Sequence, residues 1–297
     1  MPVIGDYVAL MVDRIILATD LTPVSETATG YARAIAKRFS SNLTLAHIVD
    51  LSASISSEKA VLGIPRDDMR RISSLRMEGL LRELSDAGIR ATAHALEAHN
   101  PAAAIVGLAH QLNADLIVAG THSRHGLSKA ILGSCAEGII RHATCPVMTT
   151  GPKAKLPANG AFSFHTILFA TNFESDAAAK ASVAFAFAQD SAAKIYLCHI
   201  LEHAGKDVSQ TLEMQLNVDS ALQKIIPQSS YDWCDPHCIT EQGKAADHII
   251  ALANRVKADL IVLGAKRSLS WFAHLNNGLV GNVLAQAECP VMTICSM

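Results

Sequence analysis

The sequence has no surplus of charge of either sign. Its 297 residues carry 25 Lys and Arg against 27 Asp and Glu, a formal net charge of −2. A nucleic-acid binder ordinarily shows a basic face, so that class is set aside. Long hydrophobic runs are also missing: no apolar stretch approaches the roughly 20 residues of a membrane span. The opening MPVIGDYVALMVDRI has neither the basic start nor the long apolar stretch of a signal peptide. A cytoplasmic protein with no membrane contact is expected. Cysteine is sparse and odd in number, seven in all, at Cys135, Cys145, Cys198, Cys234, Cys238, Cys289 and Cys295. That does not make a disulfide framework. Several lie in apolar runs, where a free thiol acts as a small hydrophobe. The chain also lacks Gly-x-Ser-x-Gly, a P-loop and His-Glu-x-x-His.

What is present is apolar and repetitive. Half of the residues are hydrophobic and 18% are charged, enough for a large core, and the length suits two domains. Asp115-Leu-Ile-Val-Ala-Gly120 recurs as Asp259-Leu-Ile-Val-Leu-Gly264, and Cys145-Pro-Val-Met-Thr149 as Cys289-Pro-Val-Met-Thr293, both at an offset of 144. Ile16-Leu-Ala-Thr-Asp20 matches Leu168-Phe-Ala-Thr-Asn172, and Leu45-Ala-His-Ile48 matches Leu197-Cys-His-Ile200, both at an offset of 152. The second copy has therefore lost eight residues between its second strand and Glu241. The stretch 151–163 contains Gly151, Pro152, Pro157 and Gly160 and reads as a linker. This divides the chain into domains at 1–150 and 164–297.

Within the first copy, strands and helices alternate. Short apolar runs predict strands over 14–20, 43–49, 116–120 and 146–149, and alternation predicts one over 89–97. Helical spacing covers 25–40, with Ser25 as N-cap, and 67–87, with Met69, Ile72, Leu80, Leu81 and Leu84 on one face. Pro101 suits the first turn of a helix to about 112, and a further helix covers 133–142. Asp67 and Asp68 suit a helix start through the dipole. The fold class is α/β: a parallel sheet with right-handed crossovers in each copy. Such sheets bind ligands beyond the carboxyl ends of the strands, near the switch in strand order. The positions concerned are Thr19 and Asp20, His47 and Ile48, and the residues after Ala119 and Gly120.

After that strand comes Gly120-Thr-His-Ser-Arg-His-Gly126, and then Gly133-Ser134-Cys135 at a helix start. Glycines let backbone N–H groups approach an anion, and a helix N-terminus adds free donors and the positive dipole end. The same glycines also serve turns and caps. Taken with Ile-Leu-Ala-Thr-Asp, Ala-His-Ile, Asp-Leu-Ile-Val-Ala-Gly-Thr-His, Leu-Gly-Ser and Cys-Pro-Val, the pattern resembles the universal stress protein family, twice over. Nucleotide-binding members carry Gly-x2-Gly-x9-Gly-Ser/Thr after the fourth strand.

The resemblance implies an adenine nucleotide, ATP, with magnesium accompanying it. It implies that Asp20 contacts the nucleoside, Ile48 lines the adenine pocket, and Gly120, Gly133 and Ser134 hold phosphates. Thr19, Ala119, Ser123 and Cys135 adjoin these positions. It also implies an adenine nucleotide alpha hydrolase-like fold: two doubly wound five-stranded parallel sheets of order 3-2-1-4-5 in tandem. Each copy is expected to carry its own sheet, and one continuous large sheet would count against that. The last strands are expected to pair as an intramolecular pseudo-dimer, with a homodimer beyond it.

The departures from the motif are specific. The middle Gly of the first copy is Ser123, whose Cβ crowds a phosphate unless its hydroxyl is recruited. In the second copy Asn172, Arg267 and Asn277 replace the Asp and two glycines, and Trp271 and Phe272 add bulk. That copy reads as degenerate and structural, although Lys266 and Arg267 could attract an anion. Cys234-Asp-Pro-His237-Cys238 has no second ligand pair, so no metal is assigned. His122 and His125 read as solvated loop residues, and His47 and His199 as hydrogen-bonded structural histidines.

Three functions remain. The first is a nucleotide-binding stress or regulatory protein, acting through conformation or partner binding, with at most slow hydrolysis and no catalytic residue. The second is a non-nucleotide interaction module. The third is an enzyme of the wider adenine-nucleotide-hydrolase group, disfavoured because no Ser-Gly-Gly-x-Asp loop follows the first strand.

Overall fold

The computed structural model describes residues 3–4, 7–8, 12–50, 66–121, 133–156, 164–203, 207–265 and 278–295. A short antiparallel pair, β1 (Val3–Ile4) and β2 (Tyr7–Val8), precedes the repeats. The first repeat runs β3 (Arg14–Ala18), α1 (Glu26–Phe39), β4 (Asn42–Asp50), α2 (Arg66–Asp86), β5 (Ala91–Ala98), α3 (Pro101–Gln111), β6 (Leu116–Gly120), α4 (Ser134–His142) and β7 (Val147–Thr150). The second runs β8 (Thr166–Ala170), α5 (Ala177–Ser191), β9 (Lys194–Leu201), α6 (Val208–Lys224), β10 (Asp235–Gln242), α7 (Ala245–Val256), β11 (Leu260–Ala265), α8 (Leu279–Gln286) and β12 (Val291–Cys295).

The strand order is β10-β9-β8-β11-β12-β7-β6-β3-β4-β5. Numbered within each repeat, that is 3-2-1-4-5 twice, and every pairing inside a repeat is parallel. The five-stranded order expected in each repeat is present, and the last strands pair as expected: β12 runs antiparallel to β7, Val291 opposite Thr149 and Thr293 opposite Val147. That pairing joins the two sheets edge to edge into one of ten strands, which corrects only the expectation that no continuous sheet would form. The reason is the edge: an unpaired last strand leaves a row of N–H and C=O groups that its counterpart can satisfy.

Both faces of the sheet are buried, as parallel strands require. Ile15 and Leu17 face Tyr31 and Ile35 of α1 and Leu84 of α2 in one core, while Ile16 and Ala18 join Ile105 of α3 and Ile139 of α4 in the other. Each core continues into the second repeat, through Phe185 and Leu222 on one face and Ile249 and Val283 on the other. The repeated aspartates have a shared job. Asp115 Oδ2 accepts the Asp13 and Arg14 N–H groups at 3.0 and 2.9 Å, and Asp259 Oδ2 those of His165 and Thr166 at 2.9 and 3.0 Å. They cap the open starts of β3 and β8.

Two local expectations are revised. On α2, Ile72 is 43% exposed and Met77 is buried, while Leu80, Leu81 and Leu84 pack on the core as expected; the first turns meet the sheet through the Arg70–Glu97 ion pair instead, and the Met69 side chain lies outside the described residues. Ser25 precedes α1 but does not cap it with its side chain. The 3-10 turn Pro23–Ser25 intervenes, and the Ser25 hydroxyl donates to the Thr22 carbonyl at 2.8 Å.

The stretch after β7 is docked on the second repeat from its start. The Lys155 N–H donates to the Glu288 carbonyl at 3.0 Å, and the Lys155 ammonium pairs with the Glu288 carboxylate.

Candidate functional site

β3 has β4 on one side and β6 on the other, so successive crossovers leave it in opposite directions. The carboxyl ends of β3 and β6 therefore flank the switch in strand order, where a doubly wound sheet opens a crevice. Ala18 lies opposite both Ala46 and Ala119, which brings Thr19, Asp20, Ile48, Ala119 and Gly120 to one end of the sheet. α4 returns the chain to the start of β7, parallel to β6, so its N-terminus faces that same end. Gly133 is its N-cap residue, in extended conformation, with Ser134 and Cys135 opening the helix. Ser123, His122 and His125 lie outside the described residues.

The strand expected over 14–20 stops at Ala18, because Thr19 starts a tight turn. Its N–H still bonds to the Ala46 carbonyl at 3.0 Å, but its hydroxyl accepts the Leu21 N–H at 3.0 Å and meets the Ser25 hydroxyl at 3.0 Å. Leu21 takes φ 61°, a left-handed conformation costly for a bulky residue. Asp20 Oδ1 accepts the Thr22 N–H at 3.1 Å and its hydroxyl at 2.8 Å. The buried His47 closes the arrangement, its Nδ1 bonding the Thr19 carbonyl at 3.0 Å. A carbonyl only accepts, so Nδ1 carries the proton. The strained turn thus holds Asp20 at the strand end by bonds from three directions. Arg76 of α2, which sequence reasoning missed, also reaches this turn, donating to the Leu21 carbonyl at 3.4 Å.

Packing does not demand the glycine at 120. A Cβ there would lie 3.8 Å from Thr150 Oγ1, 3.9 Å from the Ala28 Cβ and 3.9 Å from the Ser25 Cα, all ordinary contacts.

The second repeat reproduces the frame and fills it differently. The Phe173 N–H donates to Thr171 Oγ1 at 3.1 Å, Phe173 takes φ 57°, and His199 Nδ1 bonds the Thr171 carbonyl at 2.7 Å. The His199 ring lies 4.9 Å from that of Phe173. Lys180, however, stands at the place of Ala28 in the 152-residue register. It is 4% exposed, and its Cδ lies 3.0 Å from where a Cβ on Gly264 would sit. Its ammonium pairs with Glu174 at 3.1 Å and Asp176 at 2.9 Å, and Asn172 donates to Glu174 at 3.0 Å. Nothing in the sequence motif marked Lys180. Lys266, Arg267, Trp271, Phe272 and Asn277 lie outside the described residues.

Cys145, Cys198, Cys289 and His237 have packing roles. Burial pushes the Cys198 and Cys289 thiols up to about 12 and Cys145 to about 11. His237 stacks on Tyr196 at 4.9 Å and pairs with Asp235 at 2.9 Å. Among the described residues no three His, Cys, Asp or Glu side chains gather as a metal site, and no helix is long and apolar enough to cross a membrane.

Fold and site define a tandem α/β protein of the doubly wound class, with a strained turn and a glycine at the switch point of its first half. The chain belongs to the universal stress protein family, whose model matches residues 11–150 and again 163–294. A protein of Staphylococcus aureus strain USA300 named as a universal stress protein is 31% identical over 147 residues, covering 49% of this chain and 87% of that one. Among solved structures, a universal stress protein from Archaeoglobus fulgidus superposes with TM-score 0.71 at 18% identity, covering 96% of this chain and 97% of that one. A functionally unknown protein from Pseudomonas aeruginosa PAO1 does so with TM-score 0.65 at 20% identity, covering 96% and 92%. The tandem arrangement is therefore shared along whole chains.

Proposed function

We propose that the first half binds one adenine nucleotide, ATP, and that binding switches the conformation or partner contacts of a cytoplasmic stress-response protein. The observation that carries this reading is the turn at the switch point, which fixes Asp20 at the end of β3 on the same end of the sheet as Gly120, where a Cβ would meet only ordinary contacts. In this reading Asp20 and Thr19 meet the nucleoside, and Ile48 and Ala119 line the adenine. Gly120, Ser123, Gly133, Ser134 and Cys135 surround the phosphates, with donors supplied by the open N-terminus of α4. Magnesium accompanies the nucleotide on its phosphates. Turnover is slow at most, since no described side chain at the crevice is placed as a general base for water. A homodimer of the whole chain extends the assembly.

Mass spectrometry of the small molecules released on denaturing the purified protein tests this, followed by calorimetry with ATP. One nucleotide per chain is expected. A chain that binds none at about millimolar ATP, some 4 kcal/mol of binding energy, overturns the reading and leaves the interaction module in its place.

A further inference from the structure

Lys180 is the buried cation for which the function above has no use. A buried lysine is rare unless paired, because taking an ammonium out of water is expensive. Here two carboxylates pair it, Glu174 at 3.1 Å and Asp176 at 2.9 Å. Asp176 stands at the N-cap position of α5 yet makes no side-chain cap bond. Asn172, at the place of Asp20, is tied into the same group through Glu174.

The position decides what this group does. The Ala28 Cβ and the Lys180 Cβ both lie 3.9 Å from a Cβ built on the facing glycine, Gly120 or Gly264, so the two frames coincide. In the first half the side chain ends there, at a methyl group in ordinary contact. In the second the lysine stem continues across Gly264, with Cδ at 3.0 Å. The lysine stem takes up the space beside Gly264, and its charge is more than offset: one ammonium against two carboxylates leaves a net negative group. Among the described residues, a phosphate finds at this place no positive charge that is not already paired.

We propose that Lys180 is the permanent occupant of the second site, a tethered cation that closes it from inside and holds the turn of β8 and the start of α5 in one fixed state. The chain then carries one half that a ligand can switch and one that it cannot. This rests on the reading of the first half as a nucleotide site.

The test is photolabelling with 8-azido-ATP followed by peptide mapping. Three chains are compared: the unaltered one, one carrying Asn172→Asp and Glu174→Thr, and one carrying Lys180→Ala besides. These changes install the first half's own residues Asp20, Thr22 and Ala28 at the matching places. Label on the second half is expected only in the third chain, about tenfold above the other two, a change of about 1.4 kcal/mol in affinity. Label on the second half before Lys180 is replaced, or none after, overturns the proposal. Missing label on the first half counts against the first-site reading alone, because the two halves give separate peptides.

If the triple variant does not fold, the unaltered chain decides. Reductive methylation should spare Lys180 while the exposed Lys153 and Lys194 react. Modification of Lys180 at their rate overturns the closure.

Discussion

Gly151 meets Leu284 at the join between the halves so closely that a Cβ on it would fall 1.9 Å from the Leu284 carbonyl oxygen. The chain leaves β7 here and passes against the C-terminal part of α8, which belongs to the other repeat. The obstacle is backbone, so a side chain cannot rotate out of the way. Gly151→Ala should therefore force the halves apart locally and destabilise the chain by about 1–3 kcal/mol, as overpacking does. Urea unfolding checks it, and an unchanged midpoint would mean that the join is looser than this contact.

The bond from His47 to the Thr19 carbonyl has a twin in His199 and Thr171, at 3.0 and 2.7 Å. Removing either imidazole leaves a carbonyl short of its donor at the turn, a loss of about 1–3 kcal/mol when that group is buried. His47→Ala and His199→Ala should both lower the urea midpoint. Only His47→Ala should also weaken ATP binding, because only that turn carries Asp20. Equal effects on affinity would deny the difference between the halves.

The proposed reading gives Asp20 two roles that substitution can separate. Its Oδ1 accepts from Thr22 twice, which shapes the turn, and in that reading its carboxylate also meets a nucleoside hydroxyl. Asp20→Asn keeps an acceptor for Thr22 and loses the charge; Asp20→Ala loses both. A charged hydrogen bond is worth about 1.5–3 kcal/mol, so Asp20→Ala should cost roughly 10- to 150-fold in ATP affinity by calorimetry. Asp20→Asn should fall between it and the unaltered chain, with stability nearly unchanged. Full affinity in Asp20→Ala would remove Asp20 from the site.

Much of this was legible in the sequence, for a physical reason. A parallel sheet buried on both faces writes its strands as short apolar runs, and helices between them keep their own period. The repeat then repeats the whole pattern, so that even the capping aspartates Asp115 and Asp259 recur with their strands. The turn at Leu21 was not legible: a left-handed leucine has no signature of its own and depends on the Thr19 hydroxyl and on His47, which is distant in sequence. Lys180 escaped for a similar reason. In an alanine-rich helix it reads as a solvated side chain, and only its alignment with Ala28 and the positions of Glu174 and Asp176 show that it turns inward. Gly151 looked like linker punctuation, whereas its constraint comes from a backbone 133 residues further on.

Glu241 at the end of β10 joins His248 and Arg255 of α7, with its carboxylate 2.8 Å from His248 Nδ1 and 2.5 Å from Arg255 Nη2. Burial alone would raise its pKa, but the hydrogen bonds and charges of Arg255 and His248 outweigh burial and hold it below the ordinary 4.5. A pKa lower in the folded than in the unfolded chain means that the unfolded chain binds the proton first. The stabilisation is thus complete above the ordinary glutamate range and is lost as pH falls through the folded value. Glu241→Gln should cost about 1 kcal/mol at neutral pH, since Arg255 is largely exposed. Urea midpoints of the two proteins should converge as pH is lowered past 4.5. A constant gap would assign the loss to packing.

The last expectation separates a glycine kept for the fold from one kept for a ligand. At 120 a Cβ meets only ordinary contacts of 3.8 Å and more, so Gly120→Ala should fold as well as the natural chain, or slightly better by about 0.4–1 kcal/mol, since alanine has less freedom to lose. If that volume is reserved for a nucleotide, the same methyl group should weaken ATP binding about tenfold or more, a loss of about 1.4 kcal/mol. At 264 the outcome should reverse. A Cβ there lies 3.0 Å from Lys180 Cδ, and that side chain is held at its far end by Glu174 and Asp176, so it cannot simply swing away. Gly264→Ala should destabilise the chain by about 1–3 kcal/mol and leave ATP affinity alone. Lys180→Ala in the same chain should relieve the clash, so the two changes together should cost less than the sum of their separate losses. Thermal unfolding of the four variants with calorimetry of each gives both readings. A Gly120→Ala chain that is unstable yet binds ATP fully would make that glycine a packing residue, and the case for a ligand at the first switch point would lose its main support.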